Sequence, residues 1–187
     1  MPSAVQMRLD RIIEKEHHVV VGDANGADKA VQQYLAKRAY RNVTVYCSGD
    51  TLRNNVGHWT TQRVDTGLAE RTFRFFAAKD REMAKVAEFA MMIWDGKSPG
   101  TILNVLRVIR DGKIAVVFRS SGDTCTIFRS MEDWNRFLAD QDKEFVSELR
   151  DRATDKEWSG DWKVSSDEVQ PNLLDMIGCE TANSPNE

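Results

Sequence analysis

The sequence has few of the features that mark membrane, secreted or metal-binding proteins. No apolar run approaches the ~20 residues of a membrane-spanning helix, and the first residues do not form the apolar region of a signal peptide. Only three cysteines occur in 187 residues, and they are far apart, odd in number and without the spacing of a zinc site. We therefore expect no membrane partner, no disulfide framework, no metal site and a cytoplasmic location.

An excess of charge of one sign is also missing. The chain has 26 lysines and arginines against 29 aspartates and glutamates, which gives a formal net charge of −3. A basic surface spread over the whole protein is therefore disfavoured, as is bulk DNA or RNA as a partner, whereas a local basic patch is compatible with this charge. At 187 residues, of which 41% are hydrophobic, the chain can form one well-buried domain with an appendage.

What the sequence does contain is an alternation of short apolar strands and amphipathic helices. Strands are predicted at residues 18–22, 43–47, 89–93 and 113–118, and helices at residues 5–16, 27–39, 80–88 and 101–110. The strands are apolar throughout instead of at every second residue, which is typical of a parallel sheet with both faces covered. The pattern predicts an α/β fold in which a parallel sheet carries helices on both faces.

Three segments depart from this alternation. Residues 48–71 have no clear period, and we interpret them as a long functional loop, a lid candidate. Residues 124–128 predict a short edge strand, and a helical appendage is expected from residue 131 to about 152. The main domain is thus predicted over residues 1–119, with 120–153 as part of it and 154–187 as a tail that is partly disordered beyond Cys179.

Two glycine-bearing turns each follow an apolar strand and precede a helix. A helix start leaves backbone N–H groups free, and the helix dipole favours an anion there. Because ligands of open parallel sheets bind beyond the carboxyl ends of the strands, the two turns predict one phosphate-binding site. Its ligand-binding residues are predicted to be Gly22, Asp23, Asn25, Gly26 and Asp28 of the first turn, Asp95, Gly96, Lys97, Ser98, Gly100 and Thr101 of the second, and Arg53 and Asn54 of the loop.

The turns also have a purely structural interpretation. Asp23 or Asn25 can cap the first helix. Ser98 is a good N-cap and Pro99 suits the first helical position. Gly100 is harder to explain in this way, because a glycine in the first helical turn costs about 0.5–1 kcal/mol relative to alanine. Its presence favours the close approach of a ligand to the backbone.

Side chains near the turns indicate how a ligand would be held. Lys97 or Arg53 would neutralise a phosphate, and Asp28 would bind a ribose hydroxyl. The structural alternatives are a solvated loop lysine and, for Asn54 and its neighbour, ordinary turn chemistry. Trp59, an exposed aromatic residue of the same loop, would be able to stack on a purine.

Three motifs, in this order along the chain, resemble the SLOG superfamily: Gly22-Asp-Ala-Asn-Gly-Ala-Asp28, Asp80-x-x-Met83-Ala84 and Trp94-Asp-Gly-Lys-Ser-Pro-Gly-Thr101. That superfamily of Rossmann-like proteins includes the lonely-guy phosphoribohydrolases and the DNA-processing protein A group. The resemblance covers about residues 9–119 and is strongest to small bacterial and phage members. It implies a Rossmann-like fold and a nucleotide or nucleotide-derived ligand that lies across the two glycine turns.

The chain departs from this family at two points. Lonely-guy enzymes carry a glutamate soon after the Gly-Thr pair, where this chain has Gly100-Thr101-Ile-Leu-Asn104, so a hydrolase would need another acid. The candidates are Asp80, Glu82 and Asp95. Similar proteins also begin with a strand that ends in a Gly-Ser turn, which residues 1–6 do not supply. We therefore expect a sheet without its usual first strand, which either closes up, is completed by a partner, or belongs to a chain that starts late relative to its relatives.

Three functions are consistent with these residues. The first is binding of a nucleotide or nucleotide-derived small molecule, with no further cofactor assigned. The second is an N-glycosidase or transferase that acts on nucleoside phosphates. The third is a DNA-handling or adaptor protein that uses the apolar stripe between Trp134 and Leu149 as a partner surface, although such a stripe is also typical of packing on the sheet. A homo-oligomer is compatible with each.

Overall fold

The protein alternates helices and strands in a computed structural model that describes residues 1–121 and 124–159. The helices are α1 (Ser3–Glu14), α2 (Ala27–Lys37), α3 (Phe73–Val86), α4 (Pro99–Arg110), α5 (Met131–Ala139), α6 (Lys143–Arg152) and α7 (Asp155–Ser159). The strands are β1 (Val19–Gly22), β2 (Val43–Ser48), β3 (Thr60–Val64), β4 (Phe89–Trp94), β5 (Ile114–Arg119) and β6 (Cys125–Phe128). The predicted α/β architecture is confirmed.

The strands form two groups of three. The first group is parallel throughout in the order β1-β2-β3, with Val19 opposite Val43. In the second group β4 and β5 are parallel, with Phe89 opposite Ile114, and β6 adds to β5 in the antiparallel sense. The units β1-α2-β2 and β4-α4-β5 are helical crossovers, because two neighbouring parallel strands need a long connection.

Helices cover both faces of these strands. On one face, Leu9 of α1 and Leu35 of α2 share a buried cluster with Val116 of β5. On the other face, α4, α5 and α6 share a second cluster with Ala115 and Val117 of β5. Successive β5 side chains therefore enter opposite clusters, as the period of two in a strand requires, and the first five residues of β5 are all buried.

The two groups of strands do not merge into one sheet. Among the described strands, β1 and β4 share no hydrogen-bonded ladder, although both border one cavity of about 950 Å³. From this break the chain winds outward in both directions, with α2 and α4 on opposite faces, which is the arrangement of a Rossmann-like fold. The open cavity excludes the alternative in which the sheet closes up.

The predicted appendage belongs to the main core. The edge strand expected at residues 124–128 is β6, and the helical run that follows is divided into α5 and α6 at residues 140–142. Glu157 of α7 accepts hydrogen bonds from Arg81 of α3 at 2.8 Å and from Arg107 of α4 at 2.6 Å. Burial raises the pKa of Glu157, but the two guanidinium groups outweigh it and lower the pKa to about 2. This ion cluster fastens α7 across α3 and α4.

Some predictions about local structure are wrong. The segment predicted as a long loop contains β3, a polar edge strand whose residues are exposed or half-buried and which pairs with β2. Helix α3 begins at Phe73 with Thr72 as its N-cap, so Asp80 lies inside the helix and not at its start. Cys47 is buried and has a free thiol.

Membrane-spanning helices and metal-binding groups were both searched for among the described residues. No helix in residues 1–121 or 124–159 is long and apolar enough to cross a membrane. The same residues contain no group of three or more His, Cys, Asp or Glu side chains that could hold a metal ion. The disorder predicted beyond Cys179 lies outside the described residues.

Candidate ligand-binding site

The cavity between β1 and β4 has two parts. The slot lies between the two strands and is lined by residues 17–21 and 87–93. The polar end lies beyond the carboxyl ends of the strands, where both glycine turns reach the same cavity. It is lined by Gly22, Asn25, Gly26 and Asp28 of the first turn and by Asp95, Ser98, Gly100 and Thr101 of the second. The fold therefore brings two turns that are distant in sequence to one cavity.

A buried lysine lies at the polar end. The side chain of Lys79, from α3, is only 5% exposed, and its Nζ donates to Oδ1 of Asp80 at 2.6 Å and lies 3.5 Å from Oδ2 of Asp28. Gly22 makes room for this cluster, because a Cβ there would lie 2.2 Å from Oδ2 of Asp28 and 2.5 Å from Nζ of Lys79. A side chain at the end of β1 would therefore displace the ion cluster.

The cluster holds two carboxyl groups against one ammonium group. Burial opposes the charge of Lys79, but the carboxylates of Asp80 and Asp28 outweigh it and raise the pKa of the lysine. Burial also raises the pKa of Asp28, against the attraction of Lys79 and a hydrogen bond from the Ala24 N–H at 3.0 Å. Lys79 is therefore a permanent cation, while Asp28 takes up a proton more readily than an ordinary aspartate.

The second turn is held by its own aspartate. Asp95 accepts hydrogen bonds from the backbone N–H groups of Lys97 at 2.9 Å and Ser98 at 2.7 Å, and from the Ser98 hydroxyl at 2.8 Å. Burial works to raise the pKa of Asp95, but these hydrogen bonds outweigh it and lower the pKa. Gly96 allows the tight turn with a φ of 84°. The N–H groups of Lys97 and Ser98 are therefore already used within the turn.

The start of α4 keeps two further donors. Ser98 is the N-cap without a side-chain capping bond, and Pro99 occupies the first helical position as predicted. The N–H groups of Gly100 and Thr101 come too early in the helix to have an intrahelical acceptor, and both residues line the polar end. A Cβ at Gly100 would lie 3.5 Å from Phe73, an ordinary contact, so packing does not require glycine there.

Three predicted ligand residues instead form a network behind the first turn. Asp23 is 1% exposed and accepts hydrogen bonds from Nε, Nη2 and the backbone N–H of Arg53 at 3.1, 2.6 and 3.1 Å. Asn54 donates from Nδ2 to the Asp23 carbonyl at 2.8 Å and to Oδ1 of Asn25 at 3.0 Å. The guanidinium of Arg53 also lies over the ring of Phe76. Arg53 therefore holds the loop against the turn and is not in place to neutralise a ligand.

Six predicted site residues do not line the cavity: Asp23, Arg53, Asn54, Glu82, Gly96 and Lys97. Lys97 is exposed to solvent. Glu82 pairs with Lys85 at 2.5 Å on the surface of α3. Neither the phosphate contact predicted for Lys97 nor the acid role predicted for Glu82 is supported by these positions, whereas Asp80 and Asp95 do reach the cavity.

Among the polar residues at the cavity that the sequence reasoning missed are Lys79, Asn104 and Ser120. A signal existed for Lys79, which lies four residues after Phe75 and four before Met83, on the apolar face of a helix. A lysine in that position indicates a buried partner. Ser120 had no comparable signal, because it reaches the cavity only through the pairing of β4 with β5, where its N–H donates to the Trp94 carbonyl at 2.8 Å.

Two surfaces that were predicted from aromatic residues are buried. Trp59 is 8% exposed and its Nε1 donates to the Tyr40 carbonyl at 2.8 Å, so the prediction of an exposed, base-stacking ring is wrong. In the appendage, Trp134 and Leu149 are 2% and 0% exposed and pack in the same cluster as α4. The stripe considered for an adaptor surface is therefore used for core packing.

Fold and site together define a Rossmann-like α/β protein with a cavity at the carboxyl ends of two central strands. No family model matches the chain, and no curated protein and no solved structure is significantly similar to it. A functional conclusion therefore depends on the chemistry of the cavity.

Proposed function

We propose that the protein binds a nucleotide or nucleotide-derived small molecule at the polar end of the cavity. The observation that carries this proposal is that both glycine turns line one cavity beyond β1 and β4. Ligands of open α/β sheets bind at this position, where the order of the strands reverses. The resemblance of the three sequence motifs to the SLOG superfamily supports the same class of ligand.

A phosphate of such a ligand is best accommodated at the start of α4. The N–H groups of Gly100 and Thr101 are free of intrahelical partners, and the helix dipole favours an anion beside them. The missing side chain of Gly100 lets a phosphate oxygen approach the backbone. Since the ammonium group of Lys79 is already shared by two carboxyl groups, backbone donors supply most of the attraction.

The sugar or base of the ligand would contact Asp28 and Asp80. Carboxylate oxygens accept hydrogen bonds from ribose hydroxyls or from an exocyclic amine. With both aspartates ionised, two negative charges oppose the one positive charge of Lys79, so the cluster carries a surplus negative charge. We therefore expect ligands with one phosphate to bind more tightly than triphosphates.

Thermal denaturation with a panel of ligands tests the proposal. The panel contains AMP, GMP, cyclic AMP, NAD, ATP and ribose 5-phosphate at 1 mM. A Kd of about 10 μM at this concentration stabilises the folded state by about 2.7 kcal/mol, which is a clear rise in melting temperature. We expect the monophosphates to stabilise the protein and ATP to do so less.

Gly100→Ala provides the site-specific version of this test. The substitution favours the helix, so the free energy of unfolding should stay the same or rise by about 0.5–1 kcal/mol, and the melting temperature should not fall. Affinity for the best ligand should nevertheless fall at least tenfold, because a methyl group intrudes on the phosphate. Lys37→Ala, at the exposed end of α2, is the control and should change neither quantity. Absence of stabilisation by any ligand, or an unchanged affinity in Gly100→Ala, contradicts the proposal.

Cleavage or transfer at an N-glycosidic bond is a second candidate, favoured by the raised pKa that burial gives Asp28 at the cavity. A carboxyl group of this kind can donate a proton to the departing base as the bond between base and sugar breaks, while Asp80 stabilises the positive charge that develops on the sugar. A water molecule, or an acceptor hydroxyl in a transfer, then bonds to the sugar carbon and returns its proton to the Asp28 carboxylate. Asp95 is less suited, since its hydrogen bonds lower its pKa. Release of free base from AMP that is lost in Asp28→Asn and kept in Asp95→Asn would support this function. Binding without release would exclude it.

A further inference from the structure

Asn104 lies on the face of α4 that borders the cavity. Gly100, Thr101 and Asn104 all line the cavity, and residues three and four apart in a helix are neighbours on its surface. Helical side chains point back toward the start of their helix. The amide of Asn104 is therefore directed toward the first turn of α4, where the N–H groups of Gly100 and Thr101 have no intrahelical acceptor.

A buried arginine decides which atom of this amide remains available. The side chain of Arg107 is only 4% exposed, and its Nη1 donates a hydrogen bond to Oδ1 of Asn104. Because a guanidinium group has donors and no acceptor, the oxygen of the amide must face it. Nδ2 of Asn104 has no hydrogen-bond partner among the described residues. The amide thus has two unused N–H donors at the cavity.

Glu157 of α7 holds this arginine in place. Its Oε1 accepts hydrogen bonds from Nε of Arg107 at 2.6 Å and from Nε of Arg81 at 2.8 Å. A capping box fixes the carboxylate in turn, since Oε2 accepts from the Thr154 N–H at 2.8 Å and the Glu157 N–H donates to Oγ1 of Thr154 at 3.1 Å. A continuous series of hydrogen bonds therefore connects α7, through Arg107, to the amide of Asn104.

Two parts of this arrangement destabilise the folded chain. Nη2 of Arg107 is buried and has no partner within residues 1–121 and 124–159, and a buried donor without a partner costs free energy. Asparagine is a poor helix former, yet Asn104 occupies the interior of α4 between Leu103 and Val105. Both costs favour a role for these side chains beyond packing.

We propose that the amide of Asn104 donates hydrogen bonds to an anionic group of the ligand, and that Arg107 and Glu157 are positioning residues that hold the amide in this orientation. The inference rests on the proposed nucleotide site and adds a side-chain donor to the N–H groups of Gly100 and Thr101. Phosphate oxygens accept hydrogen bonds, so the donor fits a phosphate and not a cationic or hydrogen-bond-donating group. The ligand therefore presents its phosphate to α4.

Asn104→Asp separates a role in binding from a role in packing. An aspartate oxygen still accepts the hydrogen bond from Arg107, so the melting temperature should not fall. The substitution replaces two N–H donors by a carboxylate oxygen that repels an anion, so affinity for inorganic phosphate should fall at least about tenfold. Asn135→Asp, the same change at an exposed position of α5, is the control and should alter neither quantity.

Inorganic phosphate at constant ionic strength is the probe, and the NMR signals of the Asn104 side-chain amide are the direct readout. In the full chain without substitutions, these signals should shift as phosphate is added, because the amide donates to the bound anion. A titration that leaves them unshifted overturns the inference. Equal phosphate affinity of this chain and of Asn104→Asp overturns it as well.

A double-mutant cycle tests the positioning residues. Arg107→Leu should weaken phosphate binding about fivefold when Asn104 is present and have little effect in Asn104→Ala, where no amide remains to be held. Glu157→Gln keeps an acceptor for Arg107 and should recover most of the affinity that Glu157→Ala loses. If Arg107→Leu has the same effect in both backgrounds, or no effect in either, its assignment as a positioning residue is overturned.

This inference and the nucleotide proposal fail in different ways. If phosphate shifts the amide signals of Asn104 but no nucleotide binds, the nucleotide proposal alone is contradicted. If nucleotide affinity falls in Gly100→Ala but not in Asn104→Asp, the role of Asn104 alone is contradicted.

Discussion

The two glycine turns look alike in sequence but are built in different ways. The first turn depends on distant parts of the chain, because Asp23 is bound by Arg53 and the room beside Gly22 is filled by Lys79 of α3. The second turn is self-contained, since Asp95 binds donors only two and three residues further along. The first turn is therefore held by residues that are distant in sequence and contains buried charges. The second turn is held by neighbouring residues and its charge is exposed.

This difference teaches that a shared motif need not imply a shared role. In the first turn, a Cβ at Gly22 would displace the ion cluster, and the nearby side chains are occupied by one another. In the second turn, packing leaves room for a Cβ at Gly100, and the backbone N–H groups of Gly100 and Thr101 are not used by the turn. The glycine and the free N–H groups of the second turn therefore favour a contact with a ligand more strongly than the features of the first turn do.

The largest expected effect is the loss of the buried cation. Lys79→Met leaves Asp28 and Asp80 without their shared partner, so the free energy of unfolding should fall by about 3 kcal/mol. Denaturant unfolding measures it, with Lys37→Met at the exposed end of α2 as the control that should change stability by less than about 0.5 kcal/mol. A similar small change in both variants would show that the cluster is not structural.

A matched pair of glycine substitutions compares the turns directly. Gly22→Ala should reduce the free energy of unfolding by about 1–3 kcal/mol, because its Cβ meets Asp28 at 2.2 Å. Gly100→Ala should leave stability unchanged or increase it by about 0.5–1 kcal/mol. The two melting curves should therefore shift in different directions. A shift of the same sign and size would remove the distinction between the turns.

A smaller effect is expected for the aspartate that holds the second turn. Asp95→Ala removes the acceptor for the N–H groups of Lys97 and Ser98, and the loss of hydrogen bonds at such an exposed turn costs about 1 kcal/mol. Asp95→Asn keeps an acceptor oxygen and should recover part of the loss. Equal destabilisation by alanine and asparagine would assign the effect to charge and not to hydrogen bonding.

The smallest effect is a difference in pH dependence. Asp95 has a lowered pKa in the folded protein, so its contribution to stability is present above the ordinary pKa of an aspartate and is lost as the pH falls. Asp28 has a raised pKa, so its contribution has the opposite sign and falls as the pH rises through that raised value. Stability measured against pH should lose the first slope in Asp95→Asn and the second in Asp28→Asn. Unaltered slopes in both variants would contradict the opposite shifts.

Much of the architecture was predictable because it follows from local patterns. The apolar runs at 43–47, 89–93 and 113–118 became β2, β4 and β5, and Pro99 begins α4 as its fixed φ favours. Strand β3 was not predictable, because its residues Thr-Thr-Gln-Arg-Val have no apolar alternation and only the edge of β2 makes them a strand. Helix α3 was predicted to begin seven residues too late, because the prediction placed the N-cap at Asp80, whereas Thr72 occupies that position in the structure.

The site was predictable as two turns but not as a set of side chains. Parallel strands carry their turns to one edge, so the meeting of the two turns follows from the fold class. Which side chains reach the cavity depends on packing, and it was packing that turned Arg53 toward Asp23 and placed Lys79 beside Asp28. Single-residue roles therefore could not be predicted with the same success as the position of the site.

The sequence by itself determined the alternation of strands and helices, the parallel direction of the central strands and the position of both glycine turns, because these depend on periodicity and local backbone preference. Only the tertiary structure decided that β1 and β4 border an open slot and that a lysine is buried between Asp28 and Asp80. The physical reason is that strand partners and buried ion pairs are chosen between residues far apart in the chain, where a local pattern carries no information about the distance between them.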